Sequence, residues 1–307
     1  MTDSRKNSDN TPDPEKKPAR TWVIFLSLFL FFLVACVLLA LPEMLQTRDL
    51  AWFQKEAEKG NAKAQAYLGR LYVLGEEVPQ DYAEALKWLQ KSAAQENPHG
   101  LYFMGLMYQG GKGVAKSDEE AAKWFQKAAD KGHVSAQNNL GGLYKEGKGV
   151  RQSNAEALKW LEKAARKGNA NAQANLGLMY ERGEGLAQDY AEAFKWFQKS
   201  AEKGNTNAET RLGAMYLKGK GVAQSDTEAL KWFRMAADKG NPMAQCLVGG
   251  MYLTGKGVMK NEQEARKWIQ KAADQGFEKA PLYLEMIDMQ SKSQDRTQGK
   301  IEIFNEV

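Results

Sequence analysis

The chain has 307 residues, 26% of them charged and 43% hydrophobic, with a formal net charge of +5. That charge is small for the length, and basic and acidic residues are interspersed, which excludes a nucleic-acid footprint read from charge alone. Two cysteines, Cys36 and Cys246, exclude a disulfide framework, and two histidines, His99 and His133, with no Cys/His cluster around them, exclude a readable metal site.

Residues 1–20 carry Asp, Ser, Asn, Pro and Lys without apolar periodicity and read as a disordered tail. Residues 22–41, WVIFLSLFLFFLVACVLLAL, follow without a single charge. As a helix this run is about 30 Å long, the thickness of a bilayer core, so a transmembrane helix is expected over 21–42. Trp22 suits the membrane rim, Lys16, Lys17 and Arg20 precede the run, and the next basic residue after it is Arg48. The positive-inside rule then places the N-terminal tail in the cytoplasm and the rest of the chain across the membrane. Two other readings stay open. A cleaved signal peptide is opposed by the length of the run and the lack of an A-x-A site. A lipoprotein signal at Leu33-Val34-Ala35-Cys36, with Cys36 lipidated, is opposed by the apolar residues after the cysteine.

From residue 43 onward the chain is an array. Trp52, Trp88, Trp124, Trp160, Trp196, Trp232 and Trp268 recur every 36 residues without insertion or deletion. Each unit, counted from Asn61, reads as two helices joined by turns. In the first, positions 64, 68, 71, 72 and 75 are small or apolar at helical spacing, and tyrosine returns at 72, 108, 144, 180, 216 and 252. Gly69, Gly105, Gly141, Gly177, Gly213 and Gly249 fall in mid-helix, where glycine costs about 1 kcal/mol. The reading is a close helix approach, filled by a tryptophan or tyrosine. A loop such as EGKGV, 146–150, follows: Gly147 ends the helix in a left-handed conformation and Gly149 supplies a second positive φ. The second helix starts at Asp81, Ser117, Ser153, Asp189, Ser225 and Asn261, all good N-caps, with glutamate three residues on at 84, 120, 156, 192, 228 and 264, the capping-box spacing. Ala85, Trp88, Leu89, Ser92 and Ala93 mark its buried face, with tryptophan as the wedge. Lysine precedes each tryptophan from Lys87 to Lys267, and this row reads as a solvated face paired with those glutamates.

The pattern A-x-x-x-L-G-x-x-Y, then G-x-G-V, then A-x-x-W-x-x-K-A-A at a period of 36 resembles the Sel1-like repeat, a relative of the tetratricopeptide repeat. The resemblance covers about 49–290. It implies an all-α fold, a right-handed α-solenoid of antiparallel helix pairs over 43–290, preceded here by the single membrane helix and followed by a flexible tail over 291–307. It also implies an adaptor or scaffold, often of a bacterial envelope. The absence of an N-x-S/T sequon beyond residue 43 favours a bacterium, and with it an inner-membrane, single-pass protein whose repeats lie in the periplasm. Some secreted relatives carry a disulfide in each repeat, and this chain lacks those cysteines. The second unit departs from the pattern at Glu96, Pro98 and Leu101, and the last at Phe277, Pro281 and Glu285, which reads as a terminal cap.

The positions that vary in the first helix are 63, 66, 67, 70, 73 and 74 and their equivalents, one stripe opposite the packed one. By resemblance this stripe lines a concave groove. Its candidate partner-binding residues are Lys63, Tyr67, Arg70, His99, Tyr102, Phe103, Leu106, Asn138, Asn139, Asn175 and Arg211, with Ala66, Thr210 and Cys246 on the same stripe. The groove is aromatic near the membrane and asparagine-rich in the middle, suited to a peptide. The leading reading is a membrane-tethered scaffold for a protein or peptide outside the cytoplasm. The alternative is an envelope polysaccharide-binding or export factor. A cell-wall-active enzyme lacks a nucleophile with a base, so no catalytic residue, cofactor or metal is assigned.

Overall fold

The computed structural model describes residues 50–289. They form fourteen helices and no strand: α1 Leu50–Glu58, α2 Ala62–Leu74, α3 Tyr82–Ala94, α4 Pro98–Gly110, α5 Asp118–Asp130, α6 Val134–Glu146, α7 Asn154–Arg166, α8 Ala170–Arg182, α9 Tyr190–Ala201, α10 Thr206–Lys218, α11 Asp226–Asp238, α12 Pro242–Thr254, α13 Glu262–Asp274 and α14, 280–289. Even-numbered helices are the first of each unit and odd-numbered ones the second. Within a unit the two run antiparallel: Asp81 N–H donates to the Tyr72 carbonyl at 3.0 Å, and Ser92 Oγ to the Ala62 carbonyl at 2.7 Å, so contacts move outward along both helices from the turn. The chain is a solenoid of stacked helical hairpins.

Each first helix ends at a left-handed glycine, from Gly75 to Gly255. The second loop glycine does more than relax a turn. At Gly149 (φ 68°) a methyl group would overlap the carbonyl of Asp118, so the loop rests on the start of the preceding unit's second helix. The first unit places Glu77 there, also at positive φ (61°).

Two expectations about packing need correction. The residue that fills the space over the mid-helix glycine is the one after the tryptophan. A methyl group on each of these six glycines would lie 2.5–2.8 Å from Leu89, Phe125, Leu161, Phe197, Phe233 and Ile269 in turn, and all six of those side chains are fully buried. Tryptophan flanks this contact. Trp88, Trp160 and Trp268 are buried and Trp124, Trp196 and Trp232 half-buried, and except at Trp232, which has Met235 there, a lysine one turn on lies over the ring, as Lys163 over Trp160 at 4.0 Å. The capping box is also only half made. The N-cap side chains accept as expected, Ser153 Oγ from Glu156 N–H at 3.2 Å. The reciprocal bond is absent, because each N-cap amide already donates to the tyrosine carbonyl of its own first helix, Ser153 N to Tyr144 O at 2.9 Å. The freed glutamates pair with lysine instead, from Glu84–Lys87 to Glu264–Lys267, so the lysine row is the paired, solvated face expected of it.

The run 22–41 lies outside the described residues, and among these no helix is long and apolar enough to cross a membrane.

Candidate functional site

First helices of successive units lie side by side, which brings residues about 34 to 37 apart in sequence into contact. The N-cap of each is asparagine, except in the third unit, where His133 Nδ1 accepts the Ala136 N–H at 3.2 Å. Stacking covers part of the predicted stripe. Ala66, Thr210 and Cys246 are largely buried between neighbours, Ala66 and Cys246 contributing only to the walls of the cavities at the two ends of the face. Burial pushes the Cys246 thiol up to about 11, which leaves it protonated and inert.

The open part of the stripe divides into zones. At its N-terminal end, α1, α2 and α4 enclose a cavity of about 570 Å³ lined by Trp52, Phe53, Lys63, Tyr67, Arg70, His99 and Phe103. Phe53 stacks on Tyr67 at 3.9 Å, and Trp52 meets Phe53 edge-on at 5.0 Å. Trp52 is 41% exposed, the most open of the repeated tryptophans. Arg70 lies 5.9 Å from the Tyr67 ring and pairs with Glu76 at 2.7 Å.

Next to the cavity is a histidine–tyrosine cluster. His133 Nε2 and His99 Nδ1 are 3.2 Å apart, and Tyr102 stacks on the His133 ring at 4.4 Å. Burial, with His99 alongside, holds His133 well below the usual imidazole range, at about 4. His133 is therefore neutral at pH 7. Since Nδ1 accepts from the backbone, Nε2 carries the proton and donates to His99. Tyr102 is half-buried, its hydroxyl bonded to Asn139 and Ser135, and burial raises its pKa. Leu106 packs half-buried against the core.

In the middle, asparagines bond one another. Asn175 Nδ2 donates to Asn138 Oδ1 at 3.2 Å, Asn138 to Asn139 at 3.2 Å, and Asn205 to Asn171 across units at 2.9 Å. Charges here are paired internally, Arg211 with Glu181 and Lys145 with Glu184. Toward the C-terminus a smaller, apolar cavity of about 270 Å³ is lined by Leu217, Leu247, Leu253 and Tyr283 among others.

Of the sequence-predicted residues, the structure therefore brings Lys63, Tyr67, Arg70, His99 and Phe103 to one cavity, groups Tyr102, Asn138, Asn139 and Asn175 beside it, and leaves Arg211 apart. Sequence reasoning missed Trp52 and Phe53, because their columns are core columns in every later unit. The signal was available: no complete unit precedes them. Among the described residues no group of three or more His, Cys, Asp or Glu stands ready to hold a metal. The arrangement offers rings, amides and cations for binding.

Such a fold and face define a helical-repeat interaction module. The Sel1 repeat family model matches residues 62–97, 98–133, 134–169, 170–205, 206–241 and 242–277, and the chain belongs to that family. Its structure is similar to that of a protective antigen present in uropathogenic Escherichia coli strains (37% identity, TM-score 0.71), over 79% of this chain and 52% of that one, so the match spans about half of the antigen's length. It is also similar to a Sel1 repeat protein from Oxalobacter formigenes (34% identity, TM-score 0.66), over 69% of this chain and 85% of that one. No curated protein matches the chain. Sel1-repeat proteins are generally protein-interaction scaffolds.

Proposed function

We propose that this protein is a membrane-tethered scaffold that holds a protein or peptide partner on the face of its first helices, outside the cytoplasm. The observation that carries the reading is the continuity of that face. An aromatic cavity between α1, α2 and α4 adjoins a row of side-chain amides from α6 and α8, so a chain in extended form would find ring anchors and backbone partners in sequence. The uncharged run 22–41, with basic residues before it, supports a single-pass anchor with the N-terminus in the cytoplasm of a bacterium and the repeats in the periplasm.

The test is capture from a bacterial envelope extract by the full chain in detergent micelles, beside a Tyr67→Ala/His99→Ala variant of equal helicity. A protein held by the wild type and lost from the variant is the expected result. Equal retention by both moves the binding surface to the lysine row. Retention of glycan alone, read on a glycan array, replaces this reading with the polysaccharide one.

A further inference from the structure

The N-terminal cavity brings two cations together beside an aromatic wall. Its charged lining is Lys63 and Arg70, with His99 at the edge, and no carboxylate lines it. Lys63 is exposed and makes no ion pair among the described residues. The ion pair of Arg70 is with Glu76, an exposed helix-to-loop contact of the weak surface kind, so its guanidinium is exchangeable. In the middle of the face the cations are matched by Glu181 and Glu184, and the C-terminal cavity is apolar with Lys256 as its charged lining residue.

Unmatched cations beside an aromatic wall specify the chemistry of an occupant. We propose that this end of the face binds an acidic segment of a partner polypeptide that also carries an apolar or aromatic side chain. The side chain lies against Tyr67 and Phe103, and its neighbouring carboxylates exchange onto Arg70 and reach Lys63. The inference rests on the scaffold reading above and names the partner's chemistry. An anionic lipid headgroup would satisfy the cations but leave the rings unused. The chain's own preceding run is a poor occupant. The run 22–41 carries no charge to meet Lys63 or Arg70.

The test uses the full chain in detergent micelles, panned against random dodecapeptides, with recovered peptides labelled for fluorescence anisotropy at low and high salt. Expected are sequences enriched in Asp or Glu together with aromatic residues, binding that weakens with salt, and a Kd raised about tenfold or more by Lys63→Glu/Arg70→Glu. The neutral pair Lys63→Gln/Arg70→Gln should fall between, and circular dichroism should match wild type throughout. Neutral or basic peptides lost on Tyr67→Ala would overturn the charge inference and leave the scaffold reading standing. Acidic peptides bound equally by the Lys63→Glu/Arg70→Glu variant would overturn it too. Phosphatidylglycerol binding with no peptide enrichment would assign the cations to lipid and overturn it. No enriched peptide and no captured protein would defeat both readings.

Discussion

Glycine in the middle of a helix is less favourable than alanine by about 1 kcal/mol, yet the chain repeats it at six equivalent positions. The packing gives the reason, because the space a methyl would need is taken by the second helix. Gly141 faces Leu161, whose Cγ would be 2.7 Å from such a methyl, while its neighbour Gly142 has nothing within 4 Å. Adjacent residues of the same type should therefore respond in opposite directions. Gly141→Ala is expected to destabilise by about 1–3 kcal/mol, the cost of overpacking exceeding the gain in propensity. Gly142→Ala should stabilise by about 0.5–1 kcal/mol. Urea midpoints of the two variants decide it, and shifts of the same sign would refute the close-packing account. The glycine column was legible in the sequence, but its partner was not. Tryptophan stands out because its identity never varies, whereas the column that enters the gap changes among Leu, Phe and Ile and fills a similar volume in each unit.

At the scale of the helix, the termini show which local signals survive tertiary structure. The N-cap columns were readable because a side-chain oxygen two or three residues from a free amide is a local bond. The second half of the capping box was not, since whether an N-cap amide is free depends on how the hairpin closes, and here the tyrosine carbonyl takes it. The histidine pair was hidden for a related reason. His99 and His133 are 34 residues apart, and only the side-by-side stacking of α4 and α6 joins them. This junction makes one helix start sensitive to pH. His133 is held at about 4 in the folded chain, against an ordinary value of 6.5. Between those values the unfolded chain holds a proton that the folded chain does not. The contribution is thus full above about pH 6.5 and is lost as pH falls toward about 4. Protonation at Nδ1 would also remove the acceptor for Ala136 N–H and place a cation at a helix N-terminus. His133→Asn, matching the cap of the other units, gives up the Tyr102 stack and the His99 bond at every pH but should lose less stability on acidification. The measurement is the difference in urea midpoint between the two proteins at about pH 7.5 and about pH 4.5. Carboxylates titrate in both and cancel. An unchanged difference would rule out His133 as the sensitive group.

For the whole molecule, the layered helical fold was written in the 36-residue register, although seven repeated tryptophans correspond to six matched repeats, since Trp52 lies on a lone second-type helix. What the register conceals is inequality among units that look alike. The same face is cationic and aromatic at one end, amide-rich in the middle and apolar at the other, and these differences arise from residues the repeat leaves free to vary. Register and face can be separated by experiment. Each unit meets the next through the same devices: a loop glycine on the preceding second helix, as Gly149 on Asp118 and Gly221 on Tyr190, and a residue after the second helix reaching back one unit, as Lys167 Nζ to the Gly132 carbonyl at 3.1 Å. Excising residues 134–169 joins His133 to Ala170 with every column in phase. The shortened chain should unfold cooperatively with the same helicity per residue, at a lower midpoint because one set of neighbour contacts is gone. Excising only 134–151 removes a first helix, leaves two second helices in succession and should abolish that cooperativity. The in-phase excision also preserves α1, α2 and α4, and with them Lys63, Tyr67 and Arg70. Binding of the acidic peptide should therefore stay within about twofold of wild type, under 0.5 kcal/mol. Loss of that binding in a cooperatively folded, shortened chain would mean that the ligand depends on the asparagine row as well, and that recognition belongs to the length of the array.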